Sequence, residues 1–207
     1  MLNRMTIDPA SIDTRTTYKL MIGMIVPRPI AFVSTMSANG ALNLAPFSFF
    51  TGIGANPPAV CFCPSNRADG SHKDTLVNIE ATGEFVVNVV PEAIAEQMNL
   101  CSGEYPPNVD EFALSRLTPA PSLVVKPPRV LEAPAAMECR LLQIVRISTR
   151  PDGGNLVIGE VVRFHVDDAM IANYQIDPDK LRAIGRMGGP EYTRTRDRFR
   201  MIRPEAG

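Results

Sequence analysis

Proline divides this chain into short segments, which limits the folds open to it. The 207 residues include 19 prolines, some of them in the pairs Pro57-Pro58, Pro106-Pro107 and Pro127-Pro128. Proline interrupts helix interiors and central strands, so these pairs mark connections between many short elements. A chain of this length fits one domain with a substantial core, and we expect residues 1–207 to form a single domain.

Between the prolines lie segments with strand character. β-branched and aromatic residues predict strands at about 28–36, 42–51, 59–63, 84–90, 136–149 and 155–166. Asn39-Gly40 is a hairpin signal, as is the turn at 152–154, and Leu141-Leu142 breaks the alternation as a bulge would. Six or seven strands with few helices favour an antiparallel barrel, because a parallel sheet needs helical crossovers between most of its strands.

Helices are few in the predicted pattern. Ser71 and Asp74 have the spacing of a capping box and predict a helix over 71–82. Further helices are predicted over 91–100, with a proline in the first turn, and over 177–184.

Charge and composition exclude several classes of function. The formal net charge is -1, whereas binding of a polyanion favours a strongly basic chain, so we expect no nucleic-acid partner. No apolar run approaches the roughly 20 residues that span a bilayer, and the amino terminus lacks signal-peptide features. We therefore expect a cytoplasmic protein that does not associate with a membrane. With only two histidines, His72 and His165, we expect no metal site.

One candidate for chemistry is the predicted start of the helix near Ser71. A helix amino terminus presents free N–H groups and a partial positive charge. Ser71, Thr75 and Lys73 would add hydroxyl donors and a cation, and Arg67 lies shortly before. A phosphate monoester suits such a place, but ordinary helices begin with the same pattern, so both interpretations stay open.

A second candidate is the strand segment 43–49, which places polar groups beside aromatic surface. An isoalloxazine ring is flat, apolar in the middle and polar along one edge, so it needs amide groups at that edge and apolar packing on its faces. Asn43, Ser48 and the backbone of 45–47 meet that demand. The alternative is a barrel strand whose phenylalanines are divided between core and surface.

The order and spacing of these two blocks resemble the flavin reductase-like, FMN-binding split-barrel family. The resemblance extends from about Tyr18 to Tyr192 and includes residues 84–88, 127–130, 137–139, 157–161 and 185–189. It implies a mainly β fold with a few helices, a Greek-key split β-barrel that forms a homodimer with FMN near the subunit interface. It also implies two-electron chemistry at the flavin, with NADH or NADPH as electron donor and a monooxygenase as a candidate partner.

The resemblance implies site residues as well. Those that would line the flavin ring are Asn43, Ala45, Ser48 and Phe49. Those that would surround the ribityl chain and phosphate are Ser65, Arg67, Lys73, Asp74 and Thr75. Arg28 and Ser34 would lie on the strand under the ring, while Arg186 and Tyr192 would close the substrate side. The resemblance assigns no catalytic residue.

One departure from the family pattern bears on the reaction. Many members carry a histidine in the turn before the strand at 157–161, where this chain has Gly153-Gly154. If that histidine helps to seat nicotinamide, the donor site here is altered, and His165 is either its substitute or a solvent-facing strand residue. We expect an oxidoreductase that reduces flavin with NAD(P)H. The alternative is an FMN-binding electron-transfer protein or carrier without nicotinamide turnover.

The carboxyl-terminal segment also carries a cluster of charge. Five arginines lie between Arg194 and Arg203. They are typical of a solvated end, and binding of a nucleotide phosphate is the alternative.

Overall fold

A computed structural model describes residues 4–204. Its strands are β1 (Ala31–Met36), β2 (Leu42–Phe47), β3 (Phe50–Ala55), β4 (Pro58–Phe62), β5 (Glu84–Asn88), β6 (Pro119–Ala120), β7 (Arg129–Val130), β8 (Ala135–Arg146), β9 (Asn155–Val166), β10 (Ile171–Ala172), β11 (Gln175–Ile176), β12 (Ile184–Arg186) and β13 (Tyr192–Arg194). Its helices are α1 (Thr14–Met24), α2 (Asp74–Thr82), α3 (Ala95–Leu100), α4 (Glu111–Ser115) and α5 (Pro178–Leu181). Short 3-10 segments are Pro9–Ser11, Glu92–Ile94 and Asp168–Met170.

The body of the molecule is one antiparallel sheet of seven strands in the order β2-β1-β5-β8-β9-β4-β3. Its two edge strands, β2 and β3, follow each other in sequence with only Ser48 and Phe49 between them. The sheet therefore curls until its edges come together without pairing, and the predicted mainly β split barrel is confirmed. The single strand predicted over 42–51 is wrong, because at Ser48 the chain leaves β1 and joins β4 at the opposite edge.

Each face of the sheet has its own apolar core. On one face three aromatic rings meet: the centroid of Phe62 lies 5.1 Å from that of Phe47 and 5.5 Å from that of Phe85. Helix α2 covers this core with Leu76 and Ile79. The opposite face packs against α3 and α4, because successive side chains along β1 and β2 point to alternate sides. The site described below lies where β2 meets α2 and α4.

The helices begin and end where local hydrogen bonds dictate. The predicted capping box is wrong, because α2 begins at Asp74 with Lys73 as its N-cap. The backbone of Ser71 instead closes a turn, donating to Asp69 and accepting from Arg67. The predicted helix over 91–100 splits into a 3-10 turn and α3, and the helix predicted over 177–184 ends early, at Leu181.

Two further features of the fold complete this picture. The bulge predicted at Leu141-Leu142 is confirmed by a register shift between β8 and β9 at that point. None of the helices within residues 4–204 is both long and apolar enough to cross a membrane.

Candidate functional site

A cavity opens between β2, the start of α2 and the segment that follows α3. Its empty volume is about 460 Å³, a figure that includes space open to solvent and not only space enclosed by the protein. Six of the residues that the sequence analysis assigns to the cofactor line it: Asn43, Ala45, Arg67, Lys73, Asp74 and Thr75. The remaining lining comes from Pro46, Phe47, Cys101, Ser102, Gly103, Glu104, Tyr105 and Glu111. The two sequence blocks thus meet at one cavity.

A direct hydrogen bond joins the strand block to the helix block. Asn43 Nδ2 donates to Thr75 Oγ1 at 2.9 Å and to Thr35 Oγ1 at 3.2 Å. Asn78 Nδ2 donates to the same Thr35 oxygen at 3.0 Å. All four side chains are buried, so this network fixes the start of α2 relative to β2.

The first turn of α2 brings an ammonium group and N–H donors to the cavity, whose lining also carries the carboxylates of Asp74, Glu104 and Glu111. Lys73 is the N-cap residue but its side chain makes no capping bond, and the N–H groups of Asp74 and Thr75 have no acceptor within residues 4–204. The nearest carboxylate to Lys73 Nζ is Glu104 Oε1, 4.0 Å away on a side chain that is 70% exposed. Such an exposed pair is weak, so Lys73 and the two N–H groups are available to an anion.

Arg67 has a different role from Lys73. Its guanidinium donates to Asp74 Oδ2 at 2.7 Å and to the carbonyl oxygen of His72 at 3.0 Å. The backbone N–H of Arg67 also donates to Ser71 O at 2.8 Å. Arg67 therefore holds the loop before α2 in shape and contributes charge to the cavity wall.

The sequence analysis missed Glu111, which lies on α4 at the back of the cavity. Glu111 Oε2 accepts a hydrogen bond of 3.1 Å from the backbone N–H of Leu44, an N–H that β2 cannot pair because it is an edge strand. Burial raises the pKa of Glu111, and the nearby carboxylate of Asp74 adds to that increase. Nothing in the local sequence distinguishes this glutamate from a solvated one, since its partner is 67 positions away.

The sequence analysis also missed Cys101 as a lining residue. Burial raises the pKa of its thiol to about 11. The thiol therefore stays protonated near neutral pH and is a poor nucleophile.

Arg28 lies outside the cavity and is buried. Its guanidinium donates to the carbonyl oxygens of Ile22 at 2.7 Å, Ile25 at 2.6 Å and Met187 at 2.9 Å, and to Ser48 Oγ at 3.2 Å. Burial lowers the pKa of Arg28, as expected for a cation surrounded by protein. Arg28 thus joins the end of α1 to the carboxyl-terminal segment and to the crossing between β2 and β3.

The other predicted residues near this crossing gather around Arg28. Phe49 packs edge-on against Tyr18, with ring centroids 6.3 Å apart. Arg186 pairs its backbone with that of Arg28 and places its guanidinium 4.4 Å from the ring centroid of Tyr192. Ser48 and Phe49 follow Phe47, which lines the cavity, so this group lies next to the cavity along the chain.

Three of the predicted site residues lie apart from both groups. Ser65 forms a β-bridge with Gly154, at the beginning of the loop that precedes α2, and does not line the cavity. Ser34 is fully buried and donates to the carbonyl oxygen of Pro128 at 2.5 Å. His165 Nε2 lies 2.6 Å from Glu138 Oε1, and its side chain is only 17% exposed. The interpretation of His165 as solvent-facing is therefore wrong, and it does not line the cavity.

The carboxyl-terminal arginines contact surface carboxylates. Arg194 and Arg196 both pair with Glu92, and Arg198 pairs with Asp179 at 2.6 Å. These guanidinium groups are more than one-third exposed. In the part of the chain that the structure describes, no group of three or more His, Cys, Asp or Glu side chains could hold a metal ion.

Comparison with known proteins identifies the family of this chain. An uncharacterized protein of Aquifex aeolicus is 42% identical over 183 residues, which cover 88% of this chain and 91% of that protein. The structure of nitrilotriacetate monooxygenase component B from Bacillus cereus superposes with a TM-score of 0.93 at 35% identity, covering 97% of this chain and all of that one. The 2-nitrobenzoate 2-nitroreductase of Pseudomonas fluorescens superposes with a TM-score of 0.87 at 34% identity, covering 97% and 96% of the two chains. The model of the flavin reductase like domain matches residues 23–182, and the chain belongs to that family.

Proposed function

We propose that this protein binds FMN at the cavity and reduces it with NADH or NADPH, as a flavin oxidoreductase. The observation that carries the proposal is the bond between Asn43 and Thr75, which places the amide-bearing strand and the uncapped start of α2 on one cavity. A flavin mononucleotide needs those two features together, an amide edge for its ring and an anion site for its phosphate. Membership of the flavin reductase-like family supports the same cofactor.

The phosphate would lie at the start of α2. The N–H groups of Asp74 and Thr75 and the ammonium of Lys73 supply three donors without strong competition from protein acceptors. Hydrogen bonds to a charged group contribute about 1.5–3 kcal/mol each. Arg67 would act through the loop that it shapes, because its guanidinium is already bound to Asp74.

The flavin ring would extend along β2 towards the crossing at Ser48 and Phe49. Asn43 and the backbone near Ala45 supply polar groups at the cavity, and Phe47 supplies apolar surface. FMN held there would supply two-electron redox chemistry. The residues of this chain bind and orient it and exclude water, and we assign no acid–base residue among them.

We propose that a second copy of the chain completes the ring end of the site. One side of the ring end is formed by α1, which exposes Tyr18, Met21 and Met24 to solvent. Tyr18 already packs on Phe49, so this apolar surface continues directly from the predicted ring contacts. Covering it in a homodimer would also close the flavin ring away from water.

The acceptor of the electrons is suggested by the relatives. Similarity to a nitrilotriacetate monooxygenase component B supports transfer of reduced flavin to a partner monooxygenase. Similarity to a 2-nitrobenzoate 2-nitroreductase supports direct reduction of a nitroaromatic compound instead. We favour the first, because structural similarity to it is higher.

An FMN carrier without nicotinamide turnover is the second candidate function. It is favoured by the turn at Gly153-Gly154, which has no histidine, and by His165, which is held by Glu138 and does not reach the cavity. Steady oxidation of NADH or NADPH in the presence of FMN supports the enzyme. Tight FMN binding without any oxidation supports the carrier.

The test of the flavin site is a titration with FMN followed by quenching of flavin fluorescence. Lys73→Ala should weaken FMN binding by roughly 10- to 150-fold, the equivalent of one charge-assisted hydrogen bond. Lys126→Ala is the matched control, since it removes an exposed lysine that does not line the cavity. Equal FMN affinity of the wild type and Lys73→Ala would contradict the placement of the phosphate at the start of α2.

A further inference from the structure

Two buried asparagines fasten the loop that leads into α2, residues 64–73, to the turn between β8 and β9. Asn66 Nδ2 donates to the carbonyl oxygens of Ser148 at 3.0 Å and Arg150 at 2.8 Å. Asn155 Nδ2 donates to Asn66 Oδ1 at 2.8 Å and to Pro64 O at 3.3 Å. Asn66 is 3% exposed and Asn155 is 1% exposed, so neither amide is a surface contact.

Backbone bonds connect the same two segments. The N–H of Asn66 donates to Gly153 O at 2.9 Å, and the N–H of Asn155 donates to Pro64 O at 2.9 Å. The turn therefore acts as a rigid base for the loop, and the two amides span the contact between them.

The turn needs glycine to hold this contact. A Cβ atom at Gly153 would lie 2.6 Å from the carbonyl oxygen of Ser148 and 2.8 Å from that of Arg150, the two acceptors that Asn66 uses. A Cβ atom at Gly154 would lie 2.8 Å from Cys63 Sγ. A histidine at Gly153 would displace the backbone that receives Asn66, whereas one at Gly154 would meet the side chain of Cys63.

The loop connects these contacts to the anion site at the start of α2. From Asn66 the chain continues through Arg67, whose guanidinium holds His72 O and Asp74, to Lys73 at the start of α2. Only six residues separate Asn66 from Lys73, and their turn is closed by the bond from Arg67 N–H to Ser71 O. A loop released at Asn66 would leave the position of Lys73 and of the first N–H groups of α2 less defined.

We propose that Asn66 and Asn155 are positioning residues for the phosphate of the flavin nucleotide, so that preference for FMN over riboflavin depends on them. The inference rests on the proposed function and adds to it the pair that sets phosphate recognition from outside the cavity. Neither asparagine lines the cavity, so neither would touch the ligand. A phosphate that loses one charge-assisted hydrogen bond binds roughly 10- to 150-fold more weakly, which sets the scale of the effect.

The experiment measures the dissociation constants of FMN and of riboflavin for the wild type, Asn155→Ala and Asn88→Ala. Asn88 is the matched control, because it is another fully buried amide, donating to Phe32 O at 3.0 Å, and none of its hydrogen-bond partners belongs to the loop. We expect Asn155→Ala to weaken FMN by roughly 10- to 100-fold and riboflavin, which has no phosphate, by less than about twofold. An unchanged ratio of the two constants in Asn155→Ala, or an equal change in Asn88→Ala, would overturn the proposal.

Two additions keep the result decisive. If Asn155→Ala does not fold, Asn66→Ser tests the same contact from the other side, with the same expected change in the ratio. If the wild type binds neither flavin, the proposed function fails. Amide hydrogen exchange then tests the contact alone: protection of Asn66, Arg67 and Gly70 should fall in the variant, and undiminished protection would refute it.

Discussion

The carboxylate of Glu138 should be among the most important single groups for the stability of the fold. Glu138 is fully buried on β8 and accepts backbone hydrogen bonds from Leu123 at 2.7 Å, Val124 at 2.6 Å and Val125 at 3.0 Å. It also lies 2.6 Å from His165 Nε2. One side chain thus holds the irregular segment before β7 against the sheet.

The magnitude follows from replacing this carboxylate with an amide of the same shape. In Glu138→Gln, one of the two oxygens becomes an N–H₂ group that cannot accept, so at least one of the three backbone N–H groups loses its partner at about 1–3 kcal/mol. The remaining bonds lose their charge, which costs about 1 kcal/mol each. We expect a total loss of about 3–5 kcal/mol, or a fall in Tm of roughly 6–20 °C for a domain of this size.

The assay is equilibrium unfolding in urea at pH 7, with Glu132→Gln as control. Glu132 is exposed and accepts only from the N–H of Thr118, at 3.0 Å, so its replacement should cost less than about 1 kcal/mol. A loss in Glu138→Gln that is no larger than that of the control would refute the reasoning.

The pH dependence of the difference in unfolding free energy between wild type and Glu138→Gln provides a second test. Burial alone would raise the pKa of Glu138, but the hydrogen bonds from Leu123, His165, Val124 and Val125 outweigh it, and the net pKa is lowered. A lowered pKa means that the stabilisation is present above the ordinary glutamate pKa of 4.5 and is lost as pH falls through the lower value of the folded state. The difference between wild type and Glu138→Gln should therefore shrink below about pH 4.5.

Two further substitutions test the packing and the cavity wall. Gly159→Ala places a Cβ atom 2.7 Å from Phe85 Cε1 and closer still to Cζ, so it should cost about 1–3 kcal/mol of unfolding free energy in urea, whereas Gly52→Ala has open space and should be nearly neutral. Glu111→Gln keeps an acceptor for the N–H of Leu44 and removes a carboxylate whose pKa is raised by burial. Because of that raised pKa, Glu111 stabilises the wild-type fold below pH 4.5, where it is protonated, and this stabilisation is lost as the pH rises. The variant should therefore equal or exceed the wild type in urea midpoint at pH 7 and lose that advantage below pH 4.5, and a lower midpoint at pH 7 would contradict this.

Local patterns in the sequence predict much of the fold. The hairpin at Asn39-Gly40, the bulge at Leu141 and the long pair of strands after it depend on neighbouring residues, and the structure has all three. The division of 42–51 into β2 and β3 could not be predicted, because alternation continues through Ser48 and only the closing of the sheet separates the two strands.

Some residues of the candidate site could likewise be predicted from local sequence, and others could not. Lys73 and Asn43 could be identified because they belong to short blocks of characteristic residues. Glu111 and Asn66 could not be identified, because each owes its position to a partner far along the chain. Arg28 could be named from the sequence, but its buried contact with Met187 could not be predicted. The capping box predicted at Ser71 is the opposite case, in which a local pattern is present but the structure does not use it. Its spacing is suitable, but the backbone of Ser71 is hydrogen-bonded to Arg67 and Asp69 in a turn.

A crystal structure of the protein grown with FMN tests the central claim most directly. We predict that the phosphate lies within hydrogen-bond distance of Lys73 Nζ and of the N–H groups of Asp74 and Thr75. The ring should then follow β2 from Asn43 towards Ser48. Flavin bound at any other place, or a phosphate that does not touch the start of α2, would contradict the account.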